Sequence, residues 1–340
     1  MSGLVVSRNV VSFEDLSAVV MGADLRTTQL DPGYCRGQLL HADLGAMQVS
    51  AGRFETENDI RMRGILSTDR VVLAMILSPS GQISQWQQEA LQGDIFVFPR
   101  NDEQDGRFAG STSYVTIDMT LDELAAAGAQ YHLDEGKYWE HSVRYRAAPH
   151  IRHAATRRLS QSIGLLQQAA TPLAAPLQTQ LKEQFLHAFL VQTSDSVHGG
   201  RYIPPVRNGM ELVRRVEDYV RAHAGVPVDI HKICSELCIS RSTIQRAFND
   251  TLDRPPKLAL QRLRLSQVHA TLRSADPQST TIRQVAHAHG FYELGRFAGD
   301  YRRLFGETPS QTLLRPRGPA RFASAAPDWR HLMEVDLIEA

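Results

Sequence analysis

The side chains whose types and spacing could do specific chemistry lie together in the last third of the chain. Between Ser240 and Leu252, Ile244 and Phe248 are four residues apart and must turn to one side of a helix. The other side then presents Arg241, Ser242, Gln245, Arg246 and Asn249. The chemistry those groups offer is base reading. An arginine fork pairs with the O6/N7 edge of guanine, and a Gln or Asn amide pairs with the N6/N7 edge of adenine. A polar outer face is common on any helix, so the weight comes from repetition. About 50 residues later, a helix expected over Glu293 to Phe305 buries Leu294, Phe297, Tyr301 and Leu304. Its outer side offers Glu293, Arg296, Asp300 and Arg303.

Other elements must position these two helices. A helix from about Glu211 to His223 directs Leu212, Val213, Val216 and Val220 inward. Asp229 then caps a helix holding Ile233 and Leu237, a tight turn follows at Cys238-Ile239, and Ser240 caps the next helix. Helix, short turn, helix is the pattern of a helix-turn-helix unit. In the second unit Thr281 caps a helix with Ile282, Val285 and Ala286 inward, and His289-Gly290-Phe291 makes the turn. Gly290 suits a left-handed conformation there. Between the units, Pro256 to Arg273 reads as one long helix carrying Leu258, Leu263, Leu265, Val268 and Leu272. A rigid spacer fixes the separation of the two units. At one DNA turn, about 34 Å, a single chain would read adjacent major-groove segments.

The stretches ISRSTIQRAFND, LALQRLRLSQVHATL and TIRQVAHAHGFYELGRFAGDYRRLFGETPSQTL resemble the tandem helix-turn-helix domain of AraC/XylS transcription regulators. The resemblance covers about residues 208–315. It implies base-reading positions at Ser242, Gln245 and Arg246 in the first unit, and at Glu293, Leu294, Arg296 and Gly299 in the second. Asn249 joins the first set from its place on the outer face, and Arg241, Thr281 and Arg303 are candidates for phosphate contact. Two positions depart from the family pattern. Gly295 stands where Ser is usual, and Gly299 where Arg is frequent. Each glycine costs a helix about 1 kcal/mol relative to alanine, so the second unit is expected to read less sequence and to rely more on its backbone.

Charge divides the chain in the same place. Residues 1–192 hold 16 Lys+Arg against 21 Asp+Glu, while residues 201–317 hold 19 against 11. A basic half beside an acidic half suggests a polyanion-binding domain joined to something with another task. From about Leu39 to Thr120 short apolar runs alternate with turns: Val71 to Leu77 before Ser78-Pro79-Ser80-Gly81, Ile95 to Pro99, and Tyr114 to Met119. That spacing predicts a β-sandwich or barrel with a natural interior pocket. The family resemblance makes it a cupin-like sensor domain, although a metal-binding His-x-His pair is missing around His41. Helical patterning follows, with Leu159, Ile163 and Leu166 on one face and Leu177, Leu181, Phe185 and Phe189 on another. Those helices either pack on the β-domain or pair with a second subunit. Residues 193–207, rich in Ser, Gly and Pro, read as a linker, and 316–340 as an irregular tail. Met333, Val335, Leu337 and Ile338 could form a short docking segment within it.

Several sites are weighed and set aside. Cys234 and Cys238, spaced i, i+4, lack a matching His or Cys and read as buried helix side chains. With Cys35 they are the three cysteines of the chain, which suits a reducing compartment. No nucleophile elbow, phosphate loop or dinucleotide fingerprint occurs, so neither catalysis nor a cofactor is expected. The start has no basic cluster before a long apolar run, and no apolar stretch reaches membrane-spanning length, so the cytoplasm is expected. Arg61 and Arg63, and Arg144 and Arg146, form Arg-x-Arg pairs that, with Arg152, Arg157 and Arg158, either meet an anionic effector or are surface arginines paired with Asp and Glu. Trp86 and Trp139 either line a pocket or fill the core.

The expected fold is α+β: a cupin-like β-rich half with a helical dimerisation segment over 1–192, a linker, and an all-α tandem helix-turn-helix domain over 208–315. The expected function is a ligand-responsive, sequence-specific transcription regulator, an activator, working as a homodimer on double-stranded promoter DNA with a small-molecule effector and RNA polymerase as partners. The alternatives are a constitutive regulator whose first half only dimerises, and a small-molecule-binding or enzymatic first half with secondary DNA binding.

Overall fold

The computed structural model describes residues 3–133, 136–205 and 208–315. In chain order its strands are β1 (Val5–Val10), β2 (Asp24–Gln29), β3 (Cys35–Asp43), β4 (Gln48–Thr56), β5 (Asp59–Ile65), β6 (Val71–Pro79) and β7 (Gln82–Gln85). There follow β8 (Gln88–Glu89), β9 (Ile95–Phe98), β10 (Glu103–Ala109), β11 (Thr112–Met119), β12 (Val143–Tyr145) and β13 (Tyr202–Ile203). They form two antiparallel sheets, a large one in the order β1-β3-β4-β11-β6-β9-β12-β13 and a small one in the order β2-β5-β10-β7-β8. The runs with period-two alternation became strands because one set of side chains had a core to enter. Between the sheets lies an apolar interior that includes Leu25, Phe54, Ile60, Met62, Ile76, Phe96 and Tyr114.

Helices cover the opposite face of the large sheet. They are α1 (Leu121–Ala129), α2 (Pro149–Gln168) and α3 (Ala175–His198). Leu159, Ile163, Leu166, Leu181, Phe185 and Phe189 all bury against strand residues such as Val49, Leu73 and Val97. Packing on the β-domain, one of the two roles expected of these helices, is met by these buried side chains. Trp139 is fully buried in that layer, and Trp86 packs against Phe96 and Phe98 in the other.

The stretch expected as a linker is largely structured. Helix α3 continues to His198, and β13 then pairs with β12, Arg144 opposite Ile203 and Tyr145 opposite Tyr202. Thr193 and Ser196, which made the segment look polar, are buried and return their hydroxyls to the carbonyls of Phe189 (3.0 Å) and Gln192 (2.7 Å). The segment Met333 to Ile338 and the tail from 316 lie outside the described residues. No described helix is long and apolar enough to cross a membrane.

The C-terminal half is α-helical: α4 (Asn208–Ala222), α5 (Ile230–Glu236), α6 (Arg241–Leu252), α7 (Pro256–Ser274), α8 (Ile282–Ala288), α9 (Leu294–Phe305) and α10 (Pro309–Leu314). It has two small cores. Val213, Val216, Val220, Ile233, Ile244 and Phe248 build the first, and Leu265, Val268, Leu272, Val285, Phe297 and Tyr301 the second. Helix α7 contributes to both, with Leu260 and Leu263 in the first.

The two halves are docked through charge and through exchanged side chains. Leu30, from the end of β2, sits in the first helical core, and Met210 of α4 sits in the β-domain interior. Arg61 is buried between Asp105, which it grips with Nε (2.8 Å) and Nη2 (2.6 Å), and Glu217 of α4. Arg63 reaches Asp218 at 3.0 Å and Glu103 at 2.6 Å, Arg214 reaches Asp105 at 3.1 Å, and Arg254 pairs with Asp31 and Asp59 at 2.7 and 2.8 Å. The second helical unit is held too. Gln29 donates its amide to the Leu304 carbonyl (2.9 Å), and its backbone N–H donates to the Ser266 hydroxyl at 3.1 Å.

His269 of α7 adds a titratable contact. Its Nδ1 meets Glu14, its Nε2 lies 3.3 Å from Glu307, and its ring stacks on Phe305 with Tyr301 behind. Arg315 also pairs with Glu307, and Arg273 faces Asp15 at 3.9 Å. Burial opposes an imidazolium there, but the hydrogen bonds and charges of Glu14 and Glu307 outweigh it and raise the imidazole above its ordinary value. Glu14 and Glu307 are held below the usual carboxylate range, burial being outweighed by their contacts to His269. The stabilisation is therefore complete below about pH 6.5, the unfolded imidazole's value, and is lost as pH rises through the raised folded value. The melting-temperature gap between wild type and His269→Asn should be widest near about pH 6 and narrow toward alkaline pH. A gap independent of pH from neutral upward rules out the charged bridge.

Candidate nucleic-acid interface

The helix starts that orient the outer faces form by side-chain capping, as their residue types dictate. Asp229 accepts from the backbone N–H groups of His231 and Lys232 at the head of α5. Ser240 accepts from Thr243 at the head of α6, and Thr281 and Gln284 make a reciprocal capping box at the head of α8. In the second turn Gly290 adopts φ +77°, with a Cβ at that position 2.8 Å from the Val226 carbonyl oxygen. The first turn achieves the same reversal with Cys238 at φ +54°. Cys238 is thus an exposed turn residue and Cys234 is half-buried, which corrects the expectation of two buried helix side chains.

In α6 the inward set is Ile244, Ala247, Phe248 and Leu252. Arg241, Ser242, Gln245, Arg246 and Asn249 are all exposed on the other side, and Gln245 donates to Asn249 at 3.1 Å. In α9 Phe297, Tyr301 and Leu304 face inward. Glu293, Arg296, Gly299 and Arg303 are exposed, and Leu294 is half-buried. Glu293 is at the N-cap, and its side chain makes no capping bond. Arg303 reaches back to Asp300 at 3.0 Å, while Arg296 lies 4.0 Å from the same carboxylate with its side chain 70 % exposed. Exposed pairs of this kind hold an arginine weakly. Thr281 spends its hydroxyl on its own cap. The N-terminal half leaves both outer faces uncovered at these positions and meets α6 near its end, where Gln87 donates to the Thr251 hydroxyl at 2.6 Å. Helix α7 has 19 residues, a length of about 28 Å at 1.5 Å per residue.

The four arginines of the Arg-x-Arg pairs are otherwise engaged. Arg61 and Arg63 are consumed by the carboxylates of the domain contact. Arg146 pairs with the buried Asp94 at 2.6 Å, and Arg144 donates to the Glu89 carbonyl at 2.7 Å. An anion would have to displace carboxylates already held by Arg61, Arg63 and Arg146, whereas the buried Arg144 holds only a backbone carbonyl and keeps its Nε unpaired. His41 is buried beside the Ser50 hydroxyl (2.8 Å), and burial pushes its imidazole down to about 4. Among the described residues no group of three metal-ligating side chains comes together.

The interior pocket expected of the strand pattern lies between the two sheets, with a lining that periodicity did not reveal. It is an apolar cavity of about 70 Å³ whose walls include Phe54, Met62, Phe96, Phe98 and Phe108. The signal available beforehand was only the strand pattern and its implied interior.

Two capped helix pairs, each with an exposed polar second helix and joined by one long helix, define a tandem helix-turn-helix domain. The family model described as a helix-turn-helix domain matches residues 233–315. The chain is 31 % identical over 160 residues to the "Probable thc operon regulatory protein" of Rhodococcus erythropolis, covering 46 % of this chain and 48 % of that one. It is 27 % identical over 105 residues to the "XylDLEGF operon transcriptional activator" of Pseudomonas putida, covering 31 % of this chain and 33 % of the relative. A solved probable AraC family transcriptional regulator from Rhodopseudomonas palustris is 37 % identical, covering 32 % of this chain and 99 % of its own, with a TM-score of 0.28. Over residues 233–315 the chain carries a helix-turn-helix domain similar to those of AraC/XylS-type regulators. It spans about half or less of the length of these two relatives.

A Cβ added at Gly295 or Gly299 would meet nothing within 4 Å. Gly295→Ala and Gly299→Ala should each stabilise the protein by up to about 1 kcal/mol in chemical denaturation, because only the helix propensity changes. Destabilisation by either would mean that the outer face of α9 is covered.

Proposed function

We propose that this protein is a ligand-responsive, sequence-specific DNA-binding regulator of transcription that reads adjacent major-groove segments with α6 and α9. The carrying observation is the pair of second helices, α6 and α9, whose outer positions from Arg241 to Asn249 and from Glu293 to Arg303 are exposed. Ser242, Gln245, Arg246 and Asn249 are the principal base readers, joined by Glu293, Leu294 and Arg296, with Gly299 admitting the backbone closely. Arg241 and Arg303 act on phosphates, and the α8 terminus at Thr281 adds backbone N–H groups. Activation is the direction of control supported by the activators among the relatives, with RNA polymerase as the partner and a homodimer as the working form.

Responsiveness to a ligand is supported by the construction of the small sheet. Strands β5 and β10 have two working faces. Met62, Gln104 and Phe108 line the cavity, while Arg61, Arg63 and Asp105, one residue away, hold α4. A ligand that fits one packing of those strands better than another biases the grip on the readers, and only such a difference can shift the equilibrium.

Salt-titrated binding of the full chain to promoter fragments tests the reading. One fragment should bind specifically, and its affinity should fall steeply with salt. Equal affinity for target and scrambled DNA at every salt concentration refutes sequence reading. Arg246→Ala should weaken specific binding by about 1–3 kcal/mol and relax the preference at one base pair, with thermal stability unchanged.

A further inference from the structure

The cavity between the sheets is chemically selective. Resting on the ligand-responsive reading above, we propose that it takes a neutral, aromatic small molecule bearing one hydrogen-bond acceptor, which the Gln85 side-chain amide engages. Among the described residues no lysine, arginine, histidine or carboxylate lines it, so a charged ligand would lose its hydration there without gaining a partner. The wall is rich in rings, with Phe54, Phe96, Phe98, Phe108 and Tyr114 around the void. Edge and face contacts to such rings favour an aromatic ligand over an aliphatic one.

Of the four polar side chains at the wall, Gln85, Gln104, Tyr114 and Thr116, the two hydroxyls are spoken for. The Tyr114 hydroxyl donates to the Val19 carbonyl at 2.7 Å, and the Thr116 hydroxyl donates to the Ser50 carbonyl at 3.3 Å. Gln85 differs. It is 6 % exposed, and its Nε2, a donor, has no partner. A buried amide donor left unpaired is costly, and a ligand acceptor would relieve that cost. The amide is set in place by Gly106, its cross-strand neighbour, where a Cβ would come within 2.6 Å of the Gln85 Oε1.

Size decides what else must happen. The void of about 70 Å³ is smaller than a cavity of about 150 Å³ known to accept benzene. A single ring therefore enters only as the wall repacks. Met62 is the side chain suited to yield, being unbranched and adaptable. It stands between Arg61 and Arg63 on β5, so accommodating the ring moves the strand that grips α4.

The test uses the full chain and three probes of one frame: acetophenone, ethylbenzene and benzoate, followed by ligand-observed NMR titration and thermal shift. Acetophenone should bind about 2- to 10-fold more tightly than ethylbenzene, the span set by one neutral hydrogen bond. Benzoate should bind more weakly than both. Gln85→Leu should erase the gap between the two neutral probes while keeping ethylbenzene bound. Gly106→Ala, whose Cβ would press on the far end of the Gln85 side chain at 2.6 Å and touch the Phe108 ring at 3.0 Å, should narrow the same gap if the leucine variant does not fold. Ala74→Leu, which fills the cavity, should weaken both neutral probes. Benzoate binding as tightly as acetophenone, or a gap that survives both Gln85→Leu and Gly106→Ala, overturns the proposal. Absence of all binding, with specific promoter binding intact, also overturns it and leaves DNA reading standing. Neutral probes bound by a protein that lacks specific promoter binding would instead sink the regulatory reading and keep the site.

Discussion

The buried guanidinium of Arg61 is the constraint on which the arrangement of the molecule depends. It is fully enclosed, gripped by Asp105 on the neighbouring strand and by Glu217 on the first helix of the reading domain. Burial alone would disfavour its charge, and the two carboxylates more than compensate. Asp105 is in turn held below the usual carboxylate range, its burial outweighed by Arg61 and Arg214. Such a cluster contributes modest net stability but is expensive to break. Removing one partner strands a buried charge at a cost of about 3–5 kcal/mol. The orientation of α4 on the small sheet is therefore tightly specified, and through α4 so is that of the first reader.

The second reader is specified by different chemistry. Helix α7 crosses from one helical core to the other, and the β-domain holds it at Ser266 and His269 while Gln29 takes hold of the Leu304 carbonyl. The β-domain thus touches both reading units and the helix that joins them. The small sheet and the helical units meet by direct side-chain contact, with no intervening layer.

The reading domain was legible in the sequence because its signals are local. Asp229, Ser240 and Thr281 cap the helices within three residues of themselves, and the i, i+4 spacing of Ile244 and Phe248 sets the inward face without outside help. Of the two roles the sequence left open for the Arg-x-Arg pairs, pairing with carboxylates is the one that Arg61, Arg63 and Arg146 take. A guanidinium fork binds any carboxylate, and nothing local told that Arg61 would find Glu217, 156 residues away, before any ligand. The supposed linker failed on composition: Thr193 and Ser196 look like turn formers, yet their hydroxyls return to the preceding helical turn and are satisfied inside. The cavity was foreseeable as an interior, but its lack of charge depended on which side of β5 its arginines took.

The distance along the chain between Arg61 and Glu217 carries a consequence for biogenesis. Domains tend to fold as they leave the ribosome, first half first, at about 5–20 residues per second. The β-domain can pair Arg61 with Asp105 as soon as β10 has emerged, but Glu217 arrives about 8–30 s after Arg61 at those rates. Until then the face that will receive α4 stands open to water, with Leu30 lacking the helical core it will enter. A nascent chain in that interval presents a sticky, charged dock that its own next segment is due to fill, so the pace of synthesis through α3 and α4 sets how long a competitor has to occupy it.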